Sequence, residues 1–305
     1  MHKRFLSSNI LHIGIIAAFI FISTLLSSCE KEVHITLNSG PPTLVVEGQI
    51  ENGQWPYVIL SSSIGFFSKI DLTTFQNSFV HGAKITVADG TTSIVLREYS
   101  VDTSGGNKLY VYTIDSADKT SFNFKGEINK FYSLKIEYNG QTYTSLTKIP
   151  APITIDSLTA KPPTVIDTKY PDEMQVFIHF KDPDTPGNFA RYFTNKNHEG
   201  YFQGDAFSDV IANGIYENLR IRPGYNPINP DSTALNNFYK GDTISVKWSS
   251  IDNGVYTFLN TLAFARNAIG NPFATPINAK SNISNGALGY WAGYGSSVST
   301  IIIPK

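Results

Sequence analysis

A mainly β protein is predicted, with an N-terminal β-sandwich followed by a second β-rich domain that carries one α-helix. Three observations predict it. Short β-branched runs alternate in polarity through the first half, Asp-Gly and Asn-Gly turn signals separate them, and a single late segment spaces its apolar residues at a helical period. Of the 305 residues, 41% are hydrophobic and 13% aromatic, enough to bury a sizeable core in two domains.

Residues 1–28 read as a lipoprotein signal peptide. Lys3 and Arg4 form a basic start, an apolar run extends from Ile10 to Leu26, and Leu26-Ser27-Ser28-Cys29 is a lipobox holding the chain's only cysteine. Small side chains beside the scissile bond suit a peptidase, and the Cys29 thiol is the lipidation site. Two or three acyl chains at about 0.8 kcal/mol per buried methylene hold a domain on a bilayer effectively permanently. The alternative is an uncleaved membrane anchor, for which this run sits at the lower length limit; His12 and Ser23 weaken it. A disulfide within the mature chain has no second thiol.

After a tether at 29–42, the first domain (43–149) is justified strand by strand. Thr43 to Ile50 and Tyr57 to Ser62 are strand-length runs. Lys84 to Ala88 turns at Asp89-Gly90 and returns as Ser93 to Leu96, a hairpin signal because a type I′ turn needs positive φ at both central residues. Leu109 to Ile114 adds a strand, and Phe131 to Tyr138, Asn139-Gly140 and Gln141 to Thr147 repeat the hairpin grammar. The proline-spaced Ile149-Pro150-Ala151-Pro152 suits a stiff domain connection.

In the second domain (150–305), Gln175 to Phe180, Phe189 to Thr194 and Thr243 to Trp248 read as strands. The polar stretch Asn195–Tyr239 reads as long loops around short strands, and loops of that length tend to be functional. A helix is expected at about 251–268. Ser250 or Asp252 caps it, Val255, Phe258, Leu259, Leu262 and Ala265 share a face, and Gly270 with Pro272 ends it. Val298 to Ile303 is an apolar terminal strand, expected to pair inside a sheet.

Without Lys3 and Arg4 the basic residues fall from 24 to 22 against 25 acidic ones, a formal charge of −3. Lys and Arg are scattered singly, so no clustered basic face suggests nucleic acid. There is no Gly-x-Ser-x-Gly elbow, and the sole thiol is expected to be lipidated, which argues against nucleophilic catalysis. His34, His81, His179 and His198 lack metal-ligand spacing and read as surface or strand residues. Asp182 and Asp184, in Lys181-Asp182-Pro183-Asp184, are the weak metal candidates, a cation seat for calcium. The sequence continues as Thr185-Pro186-Gly187-Asn188 without further oxygen ligands, so turn chemistry is the stronger reading.

The ligand-binding candidates are Tyr290, Trp291 and Tyr294, in Gly289-Tyr290-Trp291-Ala292-Gly293-Tyr294-Gly295. Flat rings flanked by glycines can form a platform for a sugar ring or an apolar ligand. The same alternation suits a strand whose rings fill a core, with glycines marking bulges, and that reading is preferred. Tyr201-Phe202-Gln203-Gly204 and Tyr225-Asn226-Pro227 are weaker candidates of the same kind.

The ordered set of Cys29-Glu30-Lys31, Thr43-Leu44-Val45-Val46-Glu47-Gly48, Asp182-Pro183 to Pro186-Gly187-Asn188-Phe189, Gly241-Asp242-Thr243, Asn271-Pro272-Phe273, Ser281-Asn282-Ile283 and Gly286 to Gly289 resembles the domain-of-unknown-function 4249 family, almost from end to end of the mature chain. The resemblance implies a Bacteroidota outer-membrane lipoprotein with no established catalytic residues or cofactor, and an accessory role beside a TonB-dependent outer-membrane receptor. It departs from the family's acidic pair and Phe-Asn-Gly-like turn at Phe207-Ser208-Asp209 and Asn213-Gly214. The first domain also resembles immunoglobulin-like and prealbumin-like or carboxypeptidase-regulatory-like sandwiches, through Val80 to Val87 and the closing hairpin; that likeness is topological. Glu30-Lys31-Glu32 after the anchor resembles a cell-surface export signal, with an ordinary solvated tether as the alternative. The expected function is a non-enzymatic accessory or binding component of nutrient uptake, anchored in the outer membrane by lipid, on its periplasmic or cell-surface face. The alternative is a stand-alone surface binder of glycans or peptides.

Overall fold

The computed structural model describes residues 42–64, 71–103, 106–209, 214, 216–225, 237–268 and 278–305. The leader, Cys29, the tether to Pro41, Asn213, Asn226, Pro227, Gly270 and Pro272 lie outside them.

The first half runs β1 (Leu44–Glu51), β2 (Tyr57–Ser62), α1 (Leu72–Asn77), β3 (Lys84–Ala88), β4 (Ser93–Asp102), β5 (Lys108–Thr113), α2 (Lys119–Asn123), β6 (Phe131–Tyr138) and β7 (Gln141–Lys148). β4 belongs to two layers: Ser93–Leu96 pairs with β3, and Arg97–Asp102 pairs with β5. The layers close into a sandwich because alternate residues face one core. Val46, Val58 and Leu60 meet Ile85, Val87, Leu134 and Ile136 there, all at most 1% exposed. Each such side chain contributes about 1.5–3 kcal/mol when buried.

The two hairpins turn differently. Asn139 and Gly140 both adopt positive φ (48° and 72°) and join Tyr138 directly to Gln141. At the other, only Gly90 does, because the loop is longer, with Ala88 opposite Ser93. Asp89 Oδ1 accepts from the N–H groups of Thr91 and Thr92 at 3.0 and 2.8 Å, so its side chain closes the turn in place of the expected two-residue I′ geometry. The short helices α1 and α2 were not expected. Asp71 and Asp118 cap them by accepting from the N–H groups of Thr74 and Ser121.

The second half adds β8 (Ser157–Lys161), β9 (Glu173–Lys181), β10 (Phe189–Lys196), β11 (Tyr201–Ser208), β12 (Tyr216–Ile221), β13 (Phe238–Tyr239), β14 (Thr243–Ile251), α3 (Asn253–Ala268) and β15 (Leu288–Ile302). The expected loop region thus contains β11 and β12, full strands written in polar residues. Strands β8, β12 and β13 pair with β9 in a small sheet. Its Val176, Ile178 and Phe180 pack on Tyr192, Val246 and Trp248 of β10 and β14. On the opposite face of β10, β14 and β15 sits α3, with Val255 and Phe258 buried beside Phe193, Tyr290 and Tyr294. Asp252 caps α3 by accepting from the Val255 N–H at 2.9 Å, and its other oxygen accepts from the Thr147 hydroxyl and the Lys148 N–H, tying the helix to β7.

β15 joins the halves. Leu288–Tyr294 runs parallel to β1, and Gly295–Ile302 runs antiparallel to β14. One eleven-stranded path results, ordered β11-β10-β14-β15-β1-β2-β5-β4-β3-β6-β7. The connection at Ile149–Pro152 marks the change from the first core to the second, while the sheet runs unbroken past it. Pro41–Lys305 forms one compact unit. Among the described residues no helix is long and apolar enough to cross a membrane.

Candidate functional site

Trp291, Tyr290 and Tyr294 take the core alternative, which removes them as an exposed platform. Trp291 is 0% exposed, and its indole N–H donates to the Tyr132 carbonyl at 2.9 Å. Tyr290 and Tyr294 are 6% and 1% exposed beneath α3. The flanking glycines do admit a close backbone approach, but from the chain itself. A Cβ at Gly289 would lie 1.9 Å from the Val46 carbonyl oxygen, one at Gly293 2.3 Å from that of Lys148, and one at Gly295 1.9 Å from that of Pro150.

Asp182 and Asp184 also serve the turn. Asp182 is buried and accepts from the Gly214 N–H at 3.2 Å, while exposed Asp184 lies 3.8 Å from Lys181 Nζ. Gly187 takes φ 91°, and its N–H and that of Asn188 donate to Asp209. Among the described residues no group of three or more His, Cys, Asp or Glu side chains could hold a metal ion. His81 pairs with Glu98 and His179 with the Thr159 hydroxyl, so both are engaged in strand contacts.

The weaker sequence candidates prove more informative. Tyr201, Phe202, Gln203, Gly204 and Tyr225 line a groove of about 1060 Å³ along β11, the end strand of the large sheet. Packing builds it closely. Gly204 lies on the Tyr192 ring and Gly224 on the Phe202 carbonyl, at distances that leave no room for a Cβ. The Gly224 N–H donates to the Thr194 hydroxyl at 2.6 Å and the Tyr225 N–H to the Gln203 carbonyl at 2.9 Å, fastening the segment after β12 against β11.

Arg191, Arg220, Arg222 and Arg266 line this groove. The chain has only six arginines, at positions 4, 97, 191, 220, 222 and 266, and no lysine joins the four in the described lining. Arg191 is 8% exposed. Its Nη2 donates to Gln203 Oε1 at 2.6 Å and its Nε to the Gly204 carbonyl at 3.4 Å, whereas Nη1 has no hydrogen-bond partner among the described residues. Gln203 also donates to Glu47, which accepts from the Tyr290 hydroxyl at 3.2 Å. Burial, then the neighbouring Tyr294 and Glu47, push the Tyr290 hydroxyl well up, so it remains a protonated donor. Exposed Arg220, Arg222 and Arg266 stand at the rim, with Arg266 over the Tyr225 ring at 5.9 Å.

Against these four cations the groove sets Glu47, Glu173 and Asp205, so it is net positive on a chain whose formal charge is negative. Guanidinium groups match carboxylate or phosphate oxygens two at a time, which lysine ammonium groups do not. No serine, threonine, cysteine or histidine is among the described lining residues. The geometry suits holding an anion. The sequence carried a signal for this in its choice of arginine over lysine, though not in linear spacing, since three chain segments supply the four side chains.

A family model described as a domain of unknown function, DUF4249, matches residues 30–300. The chain belongs to the DUF4249 family. No curated protein matches it. In this DUF4249 chain the motifs of that ordered set hold strands and turns of the fold in place. Asn282 bonds both the N–H and the carbonyl of Trp291, and Gly48 leaves room for the Trp291 ring. Asp242 accepts from the Tyr239 N–H and lies 3.3 Å from Lys196 Nζ, fixing the end of β13. Glu47, next to Gly48 in the first motif, reaches the groove itself.

Proposed function

We propose that this protein is a non-enzymatic, lipid-anchored outer-membrane binding component, held through Cys29, that presents the arginine groove to an extended ligand bearing carboxylate or phosphate groups. The single observation that carries the reading is the gathering of four of six arginines on one groove, one of them buried with a guanidinium nitrogen that has no hydrogen-bond partner among the described residues. An ion-pairing site of this kind binds and orients without bond-making. Anchoring confines it to the membrane plane, which raises its effective concentration near a co-resident TonB-dependent receptor and makes an accessory role in uptake efficient.

Mild-detergent purification of the native lipoprotein from its own cells, followed by mass spectrometry, tests this. A stoichiometric TonB-dependent receptor supports the accessory role; recovery of the lipoprotein alone overturns that part and leaves a stand-alone surface binder. For the latter the groove replaces Trp291 as the contact surface, since Trp291 is enclosed.

A further inference from the structure

A second, smaller cavity of about 200 Å³ opens between the two sheets of the second half, and its chemistry is the reverse of the groove's. Its floor is aromatic. The Trp248 ring stacks with Phe207 at 5.8 Å and lies against Phe180 at 5.0 Å. Asp182, Asp209 and Glu217 line the same space, and no lysine, arginine or histidine does so among the described residues. None of the three makes an ion pair among the described residues; Asp209 accepts only from Gly187 and Asn188, and Glu217 makes no side-chain hydrogen bond. Burial first, and then Asp209 and Asp184, raise the Asp182 carboxyl, as expected where negative charges crowd without a counter-charge.

A second observation is independent of the acids. Trp248 is 2% exposed and lines the cavity, yet its indole N–H finds no acceptor among the described residues. A buried tryptophan N–H ordinarily has one, and its absence costs about 1–3 kcal/mol.

We infer that this cavity binds a small organic ammonium ion: the cation compensates Asp182, Asp209 and Glu217, its apolar body lies on the Phe180, Phe207 and Trp248 rings, and an acceptor atom on it takes the Trp248 N–H. Ring faces attract ammonium groups through their quadrupole, and a desolvated pocket strengthens that attraction. The volume suits a body the size of one aromatic ring with a short arm. This site is separate from the arginine groove and does not depend on the groove's function.

Isothermal titration of the purified full chain with tyramine, 4-hydroxyphenylethanol and 4-hydroxyphenylacetate, which share a phenol oxygen able to accept from Trp248, tests it. Saturable binding of the amine is expected, with the neutral alcohol about tenfold weaker and the acid weaker still. Glu217→Gln, a change at a side chain without partners, is expected to weaken the amine by about three- to tenfold and leave the alcohol unmoved. Trp248→Phe keeps a floor ring but removes the N–H donor, so it should weaken the amine and the alcohol alike by about three- to tenfold, and unchanged binding of both would overturn the contact to Trp248. Equal affinity for amine and alcohol, no amine binding at roughly 10 mM, or an unchanged amine affinity in Glu217→Gln would each overturn the inference.

Discussion

The two halves are both sheets packed face to face, but they use their interiors differently. The first core is filled by alternating aliphatic and aromatic residues, and its buried hydroxyls are engaged: the single Tyr112 O–H donates to Glu98 at 2.9 Å with the Val80 carbonyl as a second acceptor at 3.0 Å, and the Tyr132 hydroxyl accepts from the Glu127 N–H. The second half holds the large groove, the small cavity and, among the described residues, the buried side-chain atoms left without hydrogen-bond partners, Arg191 Nη1, Trp248 Nε1 and Tyr294 Oη. β15 crosses both regimes, with Trp291 in the first core and Tyr294 in the cluster under α3. Unsatisfied buried polar groups are unfavourable for stability, so the second half carries a cost that the first does not.

The largest effect that would sharpen this contrast is Trp291→Ala. Removing a fully enclosed indole and its bond to Tyr132 should cost about 3–5 kcal/mol, read as a lower urea midpoint. Retention of the midpoint would break the claim that this ring is structural. Asp252→Ala comes next, at about 1–2 kcal/mol, because it removes the α3 cap and the bonds from Thr147 and Lys148. Arg191→Met should behave in the opposite way: an apolar side chain relieves a buried charge that lacks a full set of partners, so the urea midpoint stays or rises while anion affinity falls about tenfold or more.

The smallest effect concerns acid. Burial pushes Glu98 up, but the bonds from His81, the Gly82 N–H and Tyr112 together outweigh it and hold the carboxyl below its ordinary 4.5. A depressed carboxylate stabilises the fold above its unfolded-state value and loses that contribution as pH falls through the folded one. At this partly exposed site the contribution is a few tenths of a kcal/mol, roughly. Glu98→Gln should therefore flatten the urea midpoint's decline below pH 4.5.

Much of the fold was legible because its signals are local. β2 occupies the residues that its β-branched run marked, Asn139-Gly140 made the expected turn, and α3 followed the spacing of Val255, Phe258, Leu259 and Leu262. β11 and β12 were obscured because they line a polar groove, so the groove side is written in Gln203, Asp205 and Arg220 instead of apolar residues. The glycines around Trp291 signalled close approach correctly, but not what approaches. Arg191, Arg220 and Arg222 meet Arg266 only because β10, β12 and α3 converge, a juxtaposition that no linear spacing encodes.

The most direct test of the groove as the functional surface is the affinity of a glutamate hexapeptide for the wild type and for the Arg220→Gln, Arg222→Gln double variant, both changes at exposed side chains. The account predicts a loss of about tenfold or more with an unchanged urea midpoint. Equal affinity in the two proteins would contradict it.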